Sequence, residues 1–330
     1  MKGYIHSLEY YLPEFEEYNS REDKTTEKIG IYSRHIAKLN ESASDLAIAA
    51  ATKLFEKEEI DYKSVDFLIY CTQSPDYILP TSACIIQSKL GLSTTCGALD
   101  VNLGCSGYVY GLSLAKGLIE SGSAQNVLLL TGDTYSKYIN KKDRSVKVIF
   151  GDAGSATLIS AIESNRDLIG PFTFGTDGAG AKNLIIPAGG VKEPISEASF
   201  LEAADRFGNV RSRMNLYMNG PEIFNFTLKE IPSAVQTQME KSCRAMEDYD
   251  FLIFHQANKY MLEHLQKKLK IEGSKFPIDM QNYGNTVSST IPIVLKNLLD
   301  NKQINEGNLL MLVGFGVGYS WATCNVVWQN

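Results

Sequence analysis

Three short words of sequence occur twice in this chain, in the same order and at similar spacing. Asp66-Phe67-Leu68-Ile69-Tyr70 returns as Asp250-Phe251-Leu252-Ile253-Phe254, Ile86–Leu92 returns as Leu265–Ile271, and Asn126–Gly132 returns as Asn308–Gly314. Three matches in register imply a duplicated strand–helix unit. The first and third words are almost continuously apolar, as strands covered on both faces are. Helical words between them imply mostly parallel sheets packed under helices. The chain therefore reads as α/β, with one half over residues 1–172, an irregular insertion or lid over 173–219 and a second half over 220–330. The insertion carries Gly, Lys, Glu and Pro with little periodicity, the composition of a binding loop.

A chain of 330 residues that is 44% hydrophobic and 21% charged can bury large cores without staples. Its net charge of −6 gives no support to nucleic-acid binding. The six cysteines form no C-x-x-C pair and show no zinc spacing with histidine, so neither a disulfide framework nor a metal site is expected. Met1–His6 has no continuous apolar core of a signal peptide, and no run reaches the ~18 apolar residues of a membrane span. A cytoplasmic protein is the expectation.

The residue most suggestive of chemistry is Cys105. An apolar run ends at Leu103-Gly104, Cys105 follows, and a helix-period run begins at Tyr108 and continues through Leu112, Ala115 and Ile119. This is strand, tight turn and helix, with the cysteine at the corner. Unpaired N–H groups at the helix start favour thiolate there, and a thiolate is a good nucleophile for thioesters. Burial as an inert core residue is the competing reading for an isolated cysteine. In the register of the repeat, Gly104-Cys105 falls opposite Gly284-Asn285, and His255 directly follows the strand 250–254. Pseudo-symmetry would bring the three to the carboxyl ends of the sheets, where ligands bind. Elsewhere, a first strand is expected over 3–11, an irregular polar stretch over 14–40, and helices from Ser42, from Thr81 to Leu90, from Pro221 to about Met246, over 259–269 and over 287–299.

Cys105 in Asn102-Leu103-Gly104-Cys105-Ser106-Gly107, His255 in His255-Gln256-Ala257-Asn258 and Asn285 in Asn282-Tyr283-Gly284-Asn285-Thr286 resemble the thiolase superfamily, and within it β-ketoacyl-ACP synthase III. Phe150-Gly151-Asp152 and Gly314–Trp321 fit the same pattern, which runs from Tyr11-Leu12-Pro13 to near the C-terminus. The resemblance implies a thiolase-like fold of two βαβαβαββ halves in five α-β-α-β-α layers. It implies that Cys105 takes an acyl group from a thioester, with the backbone N–H groups of Cys105 and Val317 as oxyanion hole. His255 and Asn285 would then donate to the malonyl-ACP thioester oxygen during decarboxylative condensation. No cofactor is implied, since CoA or ACP thioesters are the substrates, and a homodimer is. By the same resemblance Arg144, Lys24, Lys28 and Asn258 would meet CoA or pantetheine, and Lys259, Lys267 and Lys268 the acidic carrier protein. Leu79 would reach the partner copy's acyl pocket.

Lys24 and Lys28 depart from the family, whose CoA-binding members carry Trp and Arg there. Loss of an aromatic platform for adenine makes an acyl-ACP primer credible. The departures also leave room for a relative's chemistry on the same scaffold: acyl transfer to an oxygen, nitrogen or other carbon nucleophile without decarboxylation, in a secondary-metabolite or surface-polysaccharide pathway. A papain-like hydrolase shares the Cys–His–Asn order, but its local sequence around the cysteine is missing and its fold needs no duplication. A catalytically silent binding module would leave Cys105 inert to acylation.

Overall fold

The structure is a computed structural model and describes residues 1–329. The first half starts with β1 (Lys2–Tyr11), a hairpin of β2 (Phe15–Tyr18) and β3 (Ser33–Ile36), and the short α1 (Lys24–Ile29) between them. The stretch 14–40, expected to be irregular, is thus folded. Its elements are too short for periodicity to show, and side chains from elsewhere hold it: His35 Nδ1 lies 2.5 Å from the Pro13 carbonyl, and Asp152 accepts the Ala37 N–H. Next come α2 (Ala43–Lys57), β4 (Phe67–Cys71), α3 (Ser82–Lys89), β5 (Gly97–Val101), α4 (Gly107–Glu120), β6 (Asn126–Asp133), α5 (Arg144–Lys147) and β7 (Ala153–Ile162). The second half holds β8 (Ile169–Thr176), α6 (Gly220–Ser242), β13 (Phe251–Phe254), α7 (Lys259–Leu269), α8 (Thr290–Asp300), β14 (Leu309–Gly316) and β15 (Ser320–Val327). Between β8 and α6 lie the two-residue strands β9 (Leu184–Ile185), β10 (Ala203–Ala204), β11 (Val210–Arg211) and β12 (Tyr217–Met218), and two 3-10 turns at Gly178–Asn183 and Glu197–Phe200.

The two sheets share one topology over four strands, β5 being the extra edge strand of the first. The first has the order β1-β7-β6-β4-β5 and the second β13-β14-β15-β8. β4 runs parallel to β6 as β13 does to β14, and β6–β7–β1 are antiparallel as β14–β15–β8 are. All three repeated words fall on matching elements: β4 with β13, α3 with α7, β6 with β14. β8 is therefore the second-half counterpart of β1, and the division drawn at residue 172 falls inside it.

Burial explains the layering. Ala47, Leu54 and Phe55 of α2 and Ile86 of α3 pack on Leu68, Leu128 and Leu158 across the outer face of the first sheet. Val109, Leu112 and Ile119 of α4 and Ile291, Val294 and Leu298 of α8 form a middle layer, touching Ile69 and Leu129 on one side and Ile253 and Leu312 on the other. Ile231 and Val235 of α6 with Leu262 and Leu265 of α7 cover Leu252 and Met311 beyond. These are the five α-β-α-β-α layers. Among the described residues no helix is long and apolar enough to cross a membrane.

Candidate active site

Cys105 lies between β5 and α4, one residue before Ser106, the N-cap residue of α4. It is buried, and Gly316 at the end of β14 lies against it: a Cβ at Gly316 would come within 2.8 Å of the Cys105 Cβ and 2.9 Å of its sulfur. No larger residue fits there without moving the sulfur. Burial pushes the Cys105 thiol up to about 12, and the neighbouring Asp133 carboxylate adds to the rise. The backbone N–H groups of Val317 and of Cys105 itself point at the sulfur and pull the other way, more weakly. The expectation of a resting thiolate is thereby corrected. The helix start supplies the N–H groups, but desolvation of a fully enclosed sulfur outweighs them. The sulfur rests as a thiol.

His255 follows β13, whose pairing with β14 continues through the His255 N–H to the Val313 carbonyl at 2.8 Å. The ring is buried, stands edge-on to Phe315 at 5.5 Å, and has Nδ1 2.7 Å from the Thr290 hydroxyl. Burial pushes its pKa down to about 3, while the Val287 carbonyl favours the charged form to a smaller degree. The imidazole is neutral, as expected of a histidine that must donate without being charged.

Asn285 sits where the halves meet. Its N–H donates to the Ile149 carbonyl at 2.9 Å and its carbonyl accepts from Gly151 at 3.1 Å, so the backbone is clasped to the first half. Gly284 precedes it at φ +75°, where a Cβ would press on the Ile149 oxygen at 2.7 Å. The side-chain Oδ1 accepts the Val287 N–H at 2.9 Å, which leaves the amide NH2 as a free donor. Cys105, His255 and Asn285 line one cavity of about 70 Å³ together with Phe150, Leu184, Met218, Phe315 and Gly316. The repeat-based expectation that three separated residues converge is met by the geometry. Leu184 and Met218 come from the segment read as an insertion, which forms part of the cavity wall.

The outlying residues divide. Asn258 lines the cavity and caps α7 by accepting the Met261 N–H at 2.9 Å. Lys24 and Lys28 are exposed on α1, outside the cavity lining; the Lys28 ammonium lies 3.9 Å over the Tyr260 ring of α7. Arg144 is exposed and paired with Asp23 at 2.6 Å. On α7, Lys259 packs its stem against Gly30 and lies 3.7 Å from Glu263, Lys268 donates to the Leu228 carbonyl at 2.7 Å, and Lys267 points outward, exposed. Val317 borders a second cavity of about 250 Å³ with Gln73, Asn102, Tyr135, Leu184 and Leu216. Leu79 lies on an exposed tip with Tyr77 and Ile78, away from both cavities of its own chain. Sequence reasoning missed Thr290, Asp133, and the Gln73–Tyr135 pair, in which the phenol donates to the amide oxygen at 2.7 Å. Each sits on a contact between distant segments, and none belongs to a repeated word. Among the described residues no cluster of three or more His, Cys, Asp or Glu is placed to hold a metal ion.

Comparison with known proteins agrees with this geometry. Residues 99–178 match the 3-oxoacyl-[acyl-carrier-protein (ACP)] synthase III domain, and residues 239–328 match the 3-oxoacyl-[ACP] synthase III C-terminal domain. The chain is 35% identical over 305 residues to the β-ketoacyl-[acyl-carrier-protein] synthase III of Caldanaerobacter subterraneus subsp. tengcongensis, covering 92% of this chain and 89% of that protein. It is 31% identical to that of Fusobacterium nucleatum, with 98% of each chain covered. A crystal structure of a 3-oxoacyl-(acyl-carrier-protein) synthase III superposes with TM-score 0.97 at 50% identity, over 99% of this chain and 100% of the other. A 3-oxoacyl-(acyl-carrier protein) synthase from Burkholderia xenovorans LB400 superposes with TM-score 0.90 at 38% identity, over 99% of this chain and 94% of the other. The fold is the thiolase fold, and the chain belongs to the 3-oxoacyl-[acyl-carrier-protein] synthase III family of condensing acyltransferases.

Proposed function

We propose that Cys105 is acylated by a primer thioester and that the acyl group is then joined to malonyl-ACP with loss of CO2. The observation that carries this reading is the shared cavity: a sulfur from one half faces an imidazole and an amide from the other. In the first step the Cys105 sulfur forms a C–S bond to the primer carbonyl while its proton passes to the departing carrier thiolate. The N–H groups of Cys105 and Val317 hold the oxyanion of the tetrahedral intermediate. In the second step the malonyl C–C bond breaks, CO2 leaves, and the electron pair moves to the thioester oxygen as an enolate. Asn285 Nδ2 and His255 Nε2 donate to that oxygen. The enolate carbon attacks acyl-Cys105, the C–S bond breaks, and the sulfur leaves as thiolate and takes up one proton from solvent. Each donor of this kind contributes about 10²–10³ in rate.

For His255 to donate from Nε2, the ring must be bare at Nδ1. The Thr290 hydroxyl supplies the proton that Nδ1 accepts: its oxygen is 2.7 Å from Nδ1 and 3.2 Å from its other acceptor, the Val287 carbonyl. Thr290 thus fixes the tautomer.

The primer carrier is ACP rather than CoA in this reading. Arg144 is paired with Asp23, and neither Lys24 nor Lys28 offers a flat surface on which an adenine could stack. Asn258 meets the pantetheine arm. Lys259, Lys267 and Lys268 face the acidic carrier, with Lys267 the most available. The enzyme works as a cytoplasmic homodimer in which the exposed tip at Leu79 enters the partner copy, and it needs no cofactor beyond its thioester substrates.

The test is mass spectrometry of the protein after incubation with a panel of acyl-CoA and acyl-ACP thioesters, paired with labelled-CO2 release from malonyl-ACP. An acyl adduct on Cys105, absent from Cys105→Ala, and CO2 release matching product are expected. Product formed without malonyl thioester and without CO2 would replace condensation by simple acyl transfer. No adduct on Cys105 would remove the reading altogether.

A further inference from the structure

The mechanism above makes no use of Asp133, a fully buried carboxylate at the end of β6. Its hydrogen-bond partners are neutral donors. The Gln73 N–H donates to one oxygen at 2.8 Å, and the Ser288 hydroxyl and N–H donate to the other at 2.5 and 3.4 Å. Burial pushes the Asp133 carboxyl up to about 7, against the smaller pull of these donors toward the charged form. A buried acid with such partners costs free energy to keep, so what it holds is informative.

It holds the turn between Asn285 and Thr290. Val287, within that turn, has φ +55°, a backbone conformation that a β-branched residue adopts only where its surroundings impose it. That conformation aims the Val287 N–H at Asn285 Oδ1 and places the Val287 carbonyl 3.2 Å from the Thr290 oxygen. The turn is pinned at both ends. Before it, the Asn285 backbone is clasped between Ile149 and Gly151. After it, Ser288 is fixed by Asp133, and Ser289 lies 2.7 Å from the Thr131 hydroxyl of the same strand. The clasp on Asn285 leaves its side chain free to rotate. The anchor on Ser288 is what keeps the strained Val287 N–H against the amide.

We propose that Asp133 is a positioning residue for condensation: by anchoring Ser288 it holds the strained Val287 turn, which aims the Asn285 amide and seats Thr290 against His255. This rests on the reading of Asn285 and His255 as the enolate donors. Asp133 lies in the half that carries Cys105, so one carboxylate registers the donors of the second half on the nucleophile of the first.

The experiment compares two half-reactions in the full-length protein: acylation of Cys105 by an acyl thioester, followed by mass, and CO2 release from malonyl-ACP. Asp133→Asn and Ser288→Ala should each lower CO2 release by about tenfold or more, with binding of malonyl-ACP little changed. Acylation should persist. In Asp133→Asn it should stay close to the wild-type rate, since neither Cys105 nor its backbone N–H partners hydrogen-bond to Asp133. General damage to the fold would not produce that split. The double variant should be no worse than Asp133→Asn alone, since both remove the same link. CO2 release within about twofold of wild type in Ser288→Ala would overturn the proposal even if Asp133→Asn fails to fold. Equal losses in both half-reactions, or additive effects in the double variant, would also overturn it. A wild-type protein that acylates but releases no CO2 would instead sink the enolate-donor reading, and this inference with it.

Discussion

Cys105 and His255 are shifted in opposite directions by one cause. An enclosed cavity penalises charge of either sign, so it raises the thiol to about 12 and lowers the imidazolium to about 3. The same enclosure thus favours the neutral form of both groups that line the cavity. Below its pKa the thiolate fraction of Cys105 grows tenfold per pH unit. Alkylation by iodoacetamide should therefore rise about tenfold between pH 8 and pH 9, with no plateau near neutrality; a plateau would show a far lower pKa. Thr290→Val keeps the shape but removes the proton given to Nδ1. Condensation should fall about 10²-fold, in line with the loss of one oxyanion donor, while Cys105 acylation is largely kept; steady-state rates beside the acylation half-reaction would check this. Cys105, His255 and Asn285 were legible in the sequence because each stands beside a glycine or a strand end in a recurring local pattern. Thr290 and Asp133 were not. Nothing in Ser-Ser-Thr or Thr-Gly-Asp marks a partner that lies 35 or 155 residues away.

At the scale of elements, close backbone approach decides where the sulfur sits. β14 passes against the start of α4 with only glycine at the contact, and Gly316→Ala places a methyl where the Cys105 side chain now lies. The chain should fold, since the residue has no unusual φ, but the sulfur must move. Acylation of Cys105 should drop about 10²-fold, read as the rate of mass gain, with little change in circular dichroism. The long apolar strands and amphipathic helices were legible from periodicity alone. Caps contributed too: Ser42 begins α2 with a full capping box to Asp45, as its sequence suggested. The helix α3 was legible from Thr81 to Leu90 but its cap was not: its first N–H groups, those of Ser82 and Ala83, donate to Asp100 of the neighbouring strand β5. Side chains that cap across space leave no local signal.

Across the whole molecule, the repeat accounts for the fold, and the links between its copies account for the site. One such link is Glu9 of β1, whose buried carboxylate meets Lys53 and Lys57 of α2 at 2.8 Å and Lys296 of α8 at 3.3 Å. Burial pushes Glu9 up, but the three ammonium groups outweigh it and hold it below the usual carboxylate range. The stability this provides is complete above the unfolded pKa, near 4, and is lost as pH falls through the lower folded value. Glu9→Gln should destabilise by about 2 kcal/mol at pH 7, because three ammonium groups lose a shared buried carboxylate and Lys296 is left with Asp300. Urea melts at pH 7 would show it, and the difference from wild type should shrink below pH 4. The middle layer of α4 and α8 has a consequence of its own. Each helix presents apolar side chains to strands of both sheets, so either half on its own would expose a broad greasy face. A chain severed at the exposed Gly208 should behave as a split protein: two fragments inert and sticky apart, regaining Cys105 acylation when expressed together.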